Sequence, residues 1–214
     1  SAWRRASKCI AQRNQLLKAN SSGESQIAAW DEELVSAAIE VDRGRSAYFE
    51  NFKPLFEEVL RKFSPEIASG ITMEYFRGWP TDQPLADVLK SNRDQDFRYG
   101  ATQLGPHRAD LVLTVENRRA AEVLSRGQQK LVVSALKIAQ GQHYEHTSGA
   151  KCAYLLDDLP AELDPGNRAR VVGELLQQGG QLWLTSVEPR ALGGCIPEAT
   201  ETATFHVERG KITA

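Results

Sequence analysis

The stretch VLSRGQQKLVVSALKIAQ, Val123 to Gln140, sets a small polar tetrapeptide, Ser125-Arg126-Gly127-Gln128, directly in front of a long amphipathic run. Two readings explain such a helix start. In one, Ser125 is an N-cap and Gln128, three residues on, completes a capping box. In the other, Gly127 lets the backbone approach a bulky anion, while the free N–H groups and positive dipole end of the helix favour phosphate. Ser125 would then supply a hydroxyl to the same target, and both readings stand at this point.

Downstream lie KCAYLLDDLPAELD, an apolar strand ending in acids, then PGNRARVVGELLQQG, a helix with Pro165 near its start and Gly179 near its end, then QLWLTSVEP, a second apolar strand. Strand, helix, strand in that order predicts a parallel βαβ unit. Asp157 and Asp158 close the strand 152–156, at the carboxyl end where open parallel sheets expose their ligand sites. Successive strand residues point to opposite sides, which allows one acid to hold Mg²⁺, directly or through water, and the other to orient an attacking water and accept its proton. Adjacent acids ending a strand also serve as helix caps or solvated loop residues. The tail TATFHVERGKIT predicts a last strand or hairpin turning at Arg209-Gly210.

Upstream, residues 1 to 20 carry Arg4, Arg5, Lys8, Arg13 and Lys18 without an acid, among helix formers, until NSSG (Asn20 to Gly23) breaks the pattern. From Ile27 the apolar positions Trp30, Leu34, Ala37, Val41, Tyr48, Leu55 and Val59 alternate by threes and fours, with an interruption at Gly44, and predict one long helix with a continuous seam. Two helices joined by a short polar turn make an antiparallel hairpin. ITMEYFRGW then reads as strand, PLADVLKSNRDQDF as helix, and ADLVLTVENRRAAEVL as paired strands around a Glu116-Asn117 turn. The basic run of the first helix is a candidate DNA-backbone grip, or a solvated face. His107 and Arg108 in GPHRAD reach a phosphate or, equally, tie down the Gly105-Pro106 turn. His143 and His146 lack the further ligands of a metal shell and read as a surface pair.

With 214 residues, 41% of them hydrophobic, the chain has ample material for one large or two small domains. A formal net charge of -2 leaves no global polybasic field, so contact with nucleic acid or membrane must use a local patch. Three cysteines, Cys9, Cys152 and Cys195, without a C-x-x-C pair argue against a disulfide framework and a zinc site. No secretory pattern and no apolar run of about 18 residues is present, which points to the cytoplasm. A start at Ser1, already in helical sequence, raises the expectation of further residues upstream.

The joint pattern of LSRGQQKL, YLLDD and AELD, in that order and with a helix between the first two, resembles the second half of an ABC-type ATPase head, with its signature motif, Walker B strand and D-loop. Within that superfamily QRNQLLK, WDEEL, RGW, GPHRADL, YLLDDLPAELD and VERGKIT extend the likeness, over nearly the whole chain, to the RecF family of bacterial recombination and replication-repair proteins. The resemblance implies an α/β fold: an ABC-ATPase-like head lobe with a parallel sheet over residues 66–214, plus an antiparallel helical hairpin arm over residues 1–65. It implies that Ser125, Gly127 and Gln128 touch the γ-phosphate of ATP held by a partner subunit, with Arg126 among the cofactor-binding residues. Asp157 would serve Mg²⁺, Asp158 would stand at the catalytic-carboxylate position, and Asp164 would lie at the seam of an ATP-dependent homodimer. It further implies DNA, at gapped or stalled structures, as a ligand and RecR and RecO as partners.

Departures qualify the likeness. Transporter heads usually carry glycine at the position of Arg126. The G-x-x-x-x-G-K-[ST] phosphate loop is nowhere in the chain, so a complete ATP site needs a further lobe, without which part of the sheet would lie exposed. At the position where many heads place a histidine switch, this chain has Thr185 and Ser186, and Asp158 is one methylene shorter than the usual glutamate; both favour slow turnover. Two rival readings are the head of another chromosome-maintenance ATPase, against which the short hairpin argues, and a scaffold module that hydrolyses nothing.

Overall fold

The computed structural model describes residues 1–19 and 24–213; the expected break at Asn20 to Gly23 lies outside the described residues. In chain order the elements are α1 (Ala2–Ala19), α2 (Glu24–Phe63), α3 (Pro65–Gly70), β1 (Ile71–Phe76), α4 (Leu85–Ser91), α5 (Arg93–Tyr99), β2 (Asp110–Val115), β3 (Arg118–Arg119) and α6 (Ala120–Val123). They continue with α7 (Arg126–Ser148), β4 (Ala153–Leu156), α8 (Leu159–Glu162), α9 (Pro165–Gln177), β5 (Gln181–Leu184), β6 (His206–Glu208) and β7 (Lys211–Thr213).

The chain divides into two compact units, and the division is not the contiguous one at residue 65. Residues 1–54 and 70–123 form the first unit, residues 55–69 and 124–214 the second. The segment 70–123, expected with the head lobe, clusters with the helical hairpin because its short helices bury Leu85, Val88 and Leu89 in the same core as Ala6, Ile10 and Leu34.

In the first unit, α1 and α2 run antiparallel: Arg5 pairs with Glu33 and Glu40, while Arg13, two turns further on, reaches back to Asp31. The seam of α2 follows the expected residues Ile27, Leu34, Ala37 and Val41, departs from the pattern around Tyr48 and returns to it at Val59. Tyr48 is exposed and Phe52 is buried instead. Gly44 and Pro54 both sit inside the helix without ending it. β1 and β2 pair antiparallel from Ile71 opposite Val115 to Phe76 opposite Asp110. Glu116 and Asn117, both at positive φ, make the expected turn into β3, which lasts two residues before the chain becomes α6.

In the second unit, β4 and β5 pair in parallel, Ala153 opposite Gln181 and Leu156 opposite Leu184, with α8 and α9 between them in sequence. Buried apolar residues come from the end of α2 (Phe56, Val59, Leu60, Phe63), from α7 (Leu131, Ala135, Ile138) and from α9 (Val171, Val172, Leu175). Glu174, almost fully buried on α9, ties these helices together by accepting from Lys62 and from Gln142. Gly141 of α7 is required by contact: a Cβ there would lie 1.7 Å from the Tyr154 hydroxyl. One face of the β4–β5 pair is largely open among the described residues. Leu155 (79% exposed) lies on it beside its register partner Trp183, whose ring stacks against Phe205 at 6.5 Å between centroids. β6 and β7 form the terminal hairpin through Arg209 and Gly210, both at positive φ.

Candidate functional site

At the head of α7 the capping box is complete. The Gln128 N–H donates to Ser125 Oγ at 3.3 Å, and the Ser125 N–H donates to Gln128 Oε1 at 2.9 Å. This arrangement does not consume the donors that an anion needs. A serine hydroxyl that accepts a hydrogen bond retains its own proton, and a glutamine whose carbonyl is occupied retains its NH₂. The N–H groups of Arg126 and Gly127 belong to the first turn, where a helix offers them no internal acceptor. Apart from its chain neighbours and the backbone of its own helix, nothing lies within 4 Å of a Cβ built on Gly127, so the approach to that backbone is open. The cap and the phosphate cradle are therefore compatible, and one tetrapeptide supplies both.

Asp157 and Asp158 follow β4 directly. Asp157 is exposed, and Asp158 is half-buried with a left-handed backbone, φ 42° and ψ 48°. For a residue with a side chain that conformation costs about 1 kcal/mol, least for Asp and Asn. Asp158 occupies the N-cap position of α8, yet its side chain makes no cap hydrogen bond. Its carboxylate is thus not spent on the helix. Asp164 differs: it caps α9, accepting from the Asn167 N–H at 3.0 Å and from Asn167 Nδ2 at 2.5 Å. Those bonds favour its charged form and hold its pKa below the ordinary value.

Thr185, the first residue after β5, meets both acids of the pair. Its N–H donates to the Leu156 carbonyl at 3.1 Å, extending the parallel ladder by one step. Its hydroxyl accepts from the Asp158 N–H at 2.8 Å and donates to Asp157 Oδ1 at 2.5 Å. Ser186 instead closes a local turn, donating to the Glu188 carbonyl and accepting from the Glu188 N–H. Both hydroxyls expected at the switch position are engaged within the chain.

A groove of about 530 Å³ opens beside these residues, with Arg126, Lys130, Ser134, Leu156, Asp157 and Glu162 among those that line it. Lys130 and Glu162 bridge across it at 2.8 Å. Arg126 and Asp157 thus border one opening, while Ser125, Gly127 and Gln128 do not line it. Among the described residues no group of three or more His, Cys, Asp or Glu side chains could cage a metal. An exposed carboxylate such as Asp157 would suit Mg²⁺, which keeps waters and substrate phosphates and takes one or two carboxylates. Thr185 holds Asp157 Oδ1, so Oδ2 would be the oxygen to meet it.

The basic run on α1 does not act as one surface. Arg13 is fully buried, clamped between Asp31 Oδ1 at 2.6 Å and Asp96 Oδ2 at 2.7 Å, and also donates to Thr102 Oγ1. It is removed from the DNA-contact candidates, because a guanidinium enclosed by carboxylates cannot reach a phosphate. Arg5 is engaged with Glu33 and Glu40. Arg4, Lys8 and Lys18 remain exposed, on one face at helical spacing.

Arg13 anchors a network that the sequence did not disclose. Asp96 also accepts from the Gln103 N–H and from Asn92, Asp31 from Arg93, and Asn14 accepts from both the N–H and the hydroxyl of Thr102. His107 Nε2 lies 3.0 Å from the Thr102 carbonyl and must carry the proton there; burial first of all pulls its pKa down. RGW and GPHRADL also meet: the Gly105 N–H donates to the Gly78 carbonyl at 2.9 Å. A Cβ on Gly78, at φ +101°, would fall 2.0 Å from the Gly105 oxygen. His107 belongs to this structural loop.

A parallel strand pair with two acids directly after its first strand, a capped helix between the strands and a long capped helix before them make an α/β lobe of the kind the ABC-type resemblance implies, in a chain that also carries an antiparallel helical hairpin. No family model matches the chain. It is, however, 45% identical over 213 residues to the DNA replication and repair protein RecF of Stutzerimonas stutzeri, covering 100% of this chain and 57% of that protein. The RecF of Chromohalobacter salexigens is 43% identical over 211 residues, with 99% and 58% covered. The chain thus spans a little over half the length of these curated relatives and resembles RecF along all of its own. The solved structure of the recombination mediator protein RecF with ATP superposes on 99% of this chain and 57% of that one, with a TM-score of 0.78 at 22% identity, which bears out the fold.

Proposed function

We propose that this chain is the signature-bearing part of a RecF-like DNA replication and repair protein, in which ATP binding drives dimerisation and slow hydrolysis releases it. The observation that carries the reading is the concurrence of motif order with donor geometry: an anion-ready helix start at Ser125, and an acid pair at a strand end whose carboxylates are not consumed by caps. ATP supplies the phosphates and Mg²⁺ the charge neutralisation. The helix start at Ser125, Arg126, Gly127 and Gln128 receives the γ-phosphate of the opposite subunit. Asp157 holds the metal through its free oxygen, and Asp158 accepts the proton of an attacking water. Asp164, anchored by Asn167, lies at the subunit seam. The P-loop comes from a segment outside residues 1–214, which also covers the open face around Leu155 and Trp183. The protein acts in the cytoplasm, on gapped DNA, with RecR and RecO as partners, and Arg4, Lys8 and Lys18 contact the DNA backbone.

Two variants of the protein at its full natural length test the site. Ser125→Arg places bulk and charge at the shared phosphate and abolishes ATP-driven dimerisation, whereas Asp158→Asn leaves dimerisation intact and slows turnover by about a hundredfold or more. Equal hydrolysis and pairing in wild type and both variants refutes the assignment. For DNA, Lys8→Glu should flatten the dependence of binding on salt by about one unit of slope, read from titrations at several salt concentrations.

A further inference from the structure

We propose that Thr185 is a positioning residue of the nucleotide site, holding both acids of the β4 end with one hydroxyl. The proposal rests on the reading that Asp157 serves the metal. A threonine hydroxyl has one proton and two lone pairs. Here the proton goes to Asp157 Oδ1 at 2.5 Å, and one lone pair receives the Asp158 N–H at 2.8 Å. The donated proton fixes the rotation of the Asp157 carboxylate, so that one oxygen is held and the other is left for a cation. The accepted N–H pins the left-handed residue from which the Asp158 carboxylate projects. Thr185 is itself seated by its own N–H on the Leu156 carbonyl, so the constraint passes from the β5 backbone to the acids without a flexible link.

This arrangement differs from a sensor that reaches out to the γ-phosphate. With its only proton given to Asp157, the hydroxyl has none to donate to a phosphate. Its action is exerted through the metal ligand, as hydrogen-bond partners behind a ligand set its orientation and basicity. Threonine suits this position also because its branched Cβ restricts χ1 and keeps the hydroxyl aimed.

The test compares Thr185→Val, Thr185→Ser and Asp157→Asn in the protein at its full natural length. The readout is the Mg²⁺ concentration that half-saturates ATP-dependent dimerisation, followed by sedimentation, which does not depend on turnover. Thr185→Val should raise that concentration about tenfold, the effect typical of losing a hydrogen bond to a metal ligand. Thr185→Ser, which keeps the hydroxyl, should restore the wild-type curve. If Thr185→Val does not fold, Thr185→Ala removes the same hydroxyl and is read in the same way. An unchanged Mg²⁺ curve in the hydroxyl-free variant, alongside a shifted one in Asp157→Asn, overturns the role of Thr185 and leaves the ATP reading standing. No change in Asp157→Asn overturns the metal role of Asp157 and, with it, the proposal. A shift in Thr185→Val that Thr185→Ser fails to rescue also overturns it, since packing and not the hydroxyl would then be responsible.

Discussion

Two charge clusters of this protein, one around Arg13 in the first unit and one at the end of β4 in the second, are treated in opposite ways. The first unit encloses its cluster: Arg13, with no solvent exposure, is clamped through Nε and Nη1 by Asp31, Asp96 and Thr102, its Nη2 buried without a partner, and the same carboxylates fasten Arg93, Asn92 and the chain at Gln103. The second unit presents its cluster: Asp157 stands exposed at a strand end with one oxygen restrained, and Asp158 keeps its carboxylate out of the helix cap. A charge enclosed by its partners is structural, because the desolvation it has suffered is offset only by those partners. A charge held by one side and open on the other is available for chemistry.

Removing an enclosed charge should have the largest effect. Arg13→Ala leaves a fully buried Asp96 without its main counter-charge and should destabilise the first unit by about 3 kcal/mol or more, measured by urea denaturation. A loss under about 1 kcal/mol would mean that the clamp adds little and that the enclosed charge is no more structural than the exposed one. In the second unit the most vulnerable point should be steric. Gly141→Ala drives a methyl group into Tyr154, whose ring cannot yield freely while its hydroxyl donates to Gln178 at 2.8 Å. About 2 kcal/mol should be lost, with partial recovery in the double variant carrying Tyr154→Phe.

Smaller effects follow from the caps and from pH. Asp164→Ala removes the N-cap of α9 and should cost about 1 kcal/mol, while Asp164→Asn, which still caps, should cost less. The Asp164 pKa is lowered by its hydrogen bonds, so its contribution is present above the ordinary value of 3.8 and is lost as pH falls through the folded one. His107 gives the first unit a separate pH dependence. Its folded pKa lies below the ordinary 6.5 because burial disfavours the imidazolium, so stability should decline as pH drops below about 6.5 towards that lower value. His107→Gln should flatten this slope in thermal melts between pH 7 and 5. The smallest effect should come from the presented charge: Asp157→Asn should change folding stability by about 0.5 kcal/mol or less while impairing Mg²⁺-dependent function. A large loss of stability there would erase the distinction between the two clusters.

Much of the second unit was legible in the residues. Apolar strands ending in acids, Pro165 and Gly179 bracketing a helix, and Arg209-Gly210 at a turn are local signals, and each occurs where its chemistry predicts. The first unit was less legible. Its long helices were foreseen, but Ala120–Val123, expected as strand, is α6, the clamp on Arg13 joins residues 18 and 83 positions apart, and no periodicity marks which basic residue of α1 turns inward. The role of Thr185 was hidden for a related reason: it depends on how two parallel strands end side by side, 28 residues apart in the chain.

The sequence by itself determined the long helices, the βαβ unit and the capped start of α7, because helix periodicity, capping and strand composition act over a few neighbouring residues. Only the tertiary structure decided that residues 70–123 cluster with the hairpin, that Arg13 is a buried clamp and not a DNA contact, and that one threonine holds both acids. Those outcomes depend on desolvation and on hydrogen-bond geometry between distant segments, which exist only once the chain has folded.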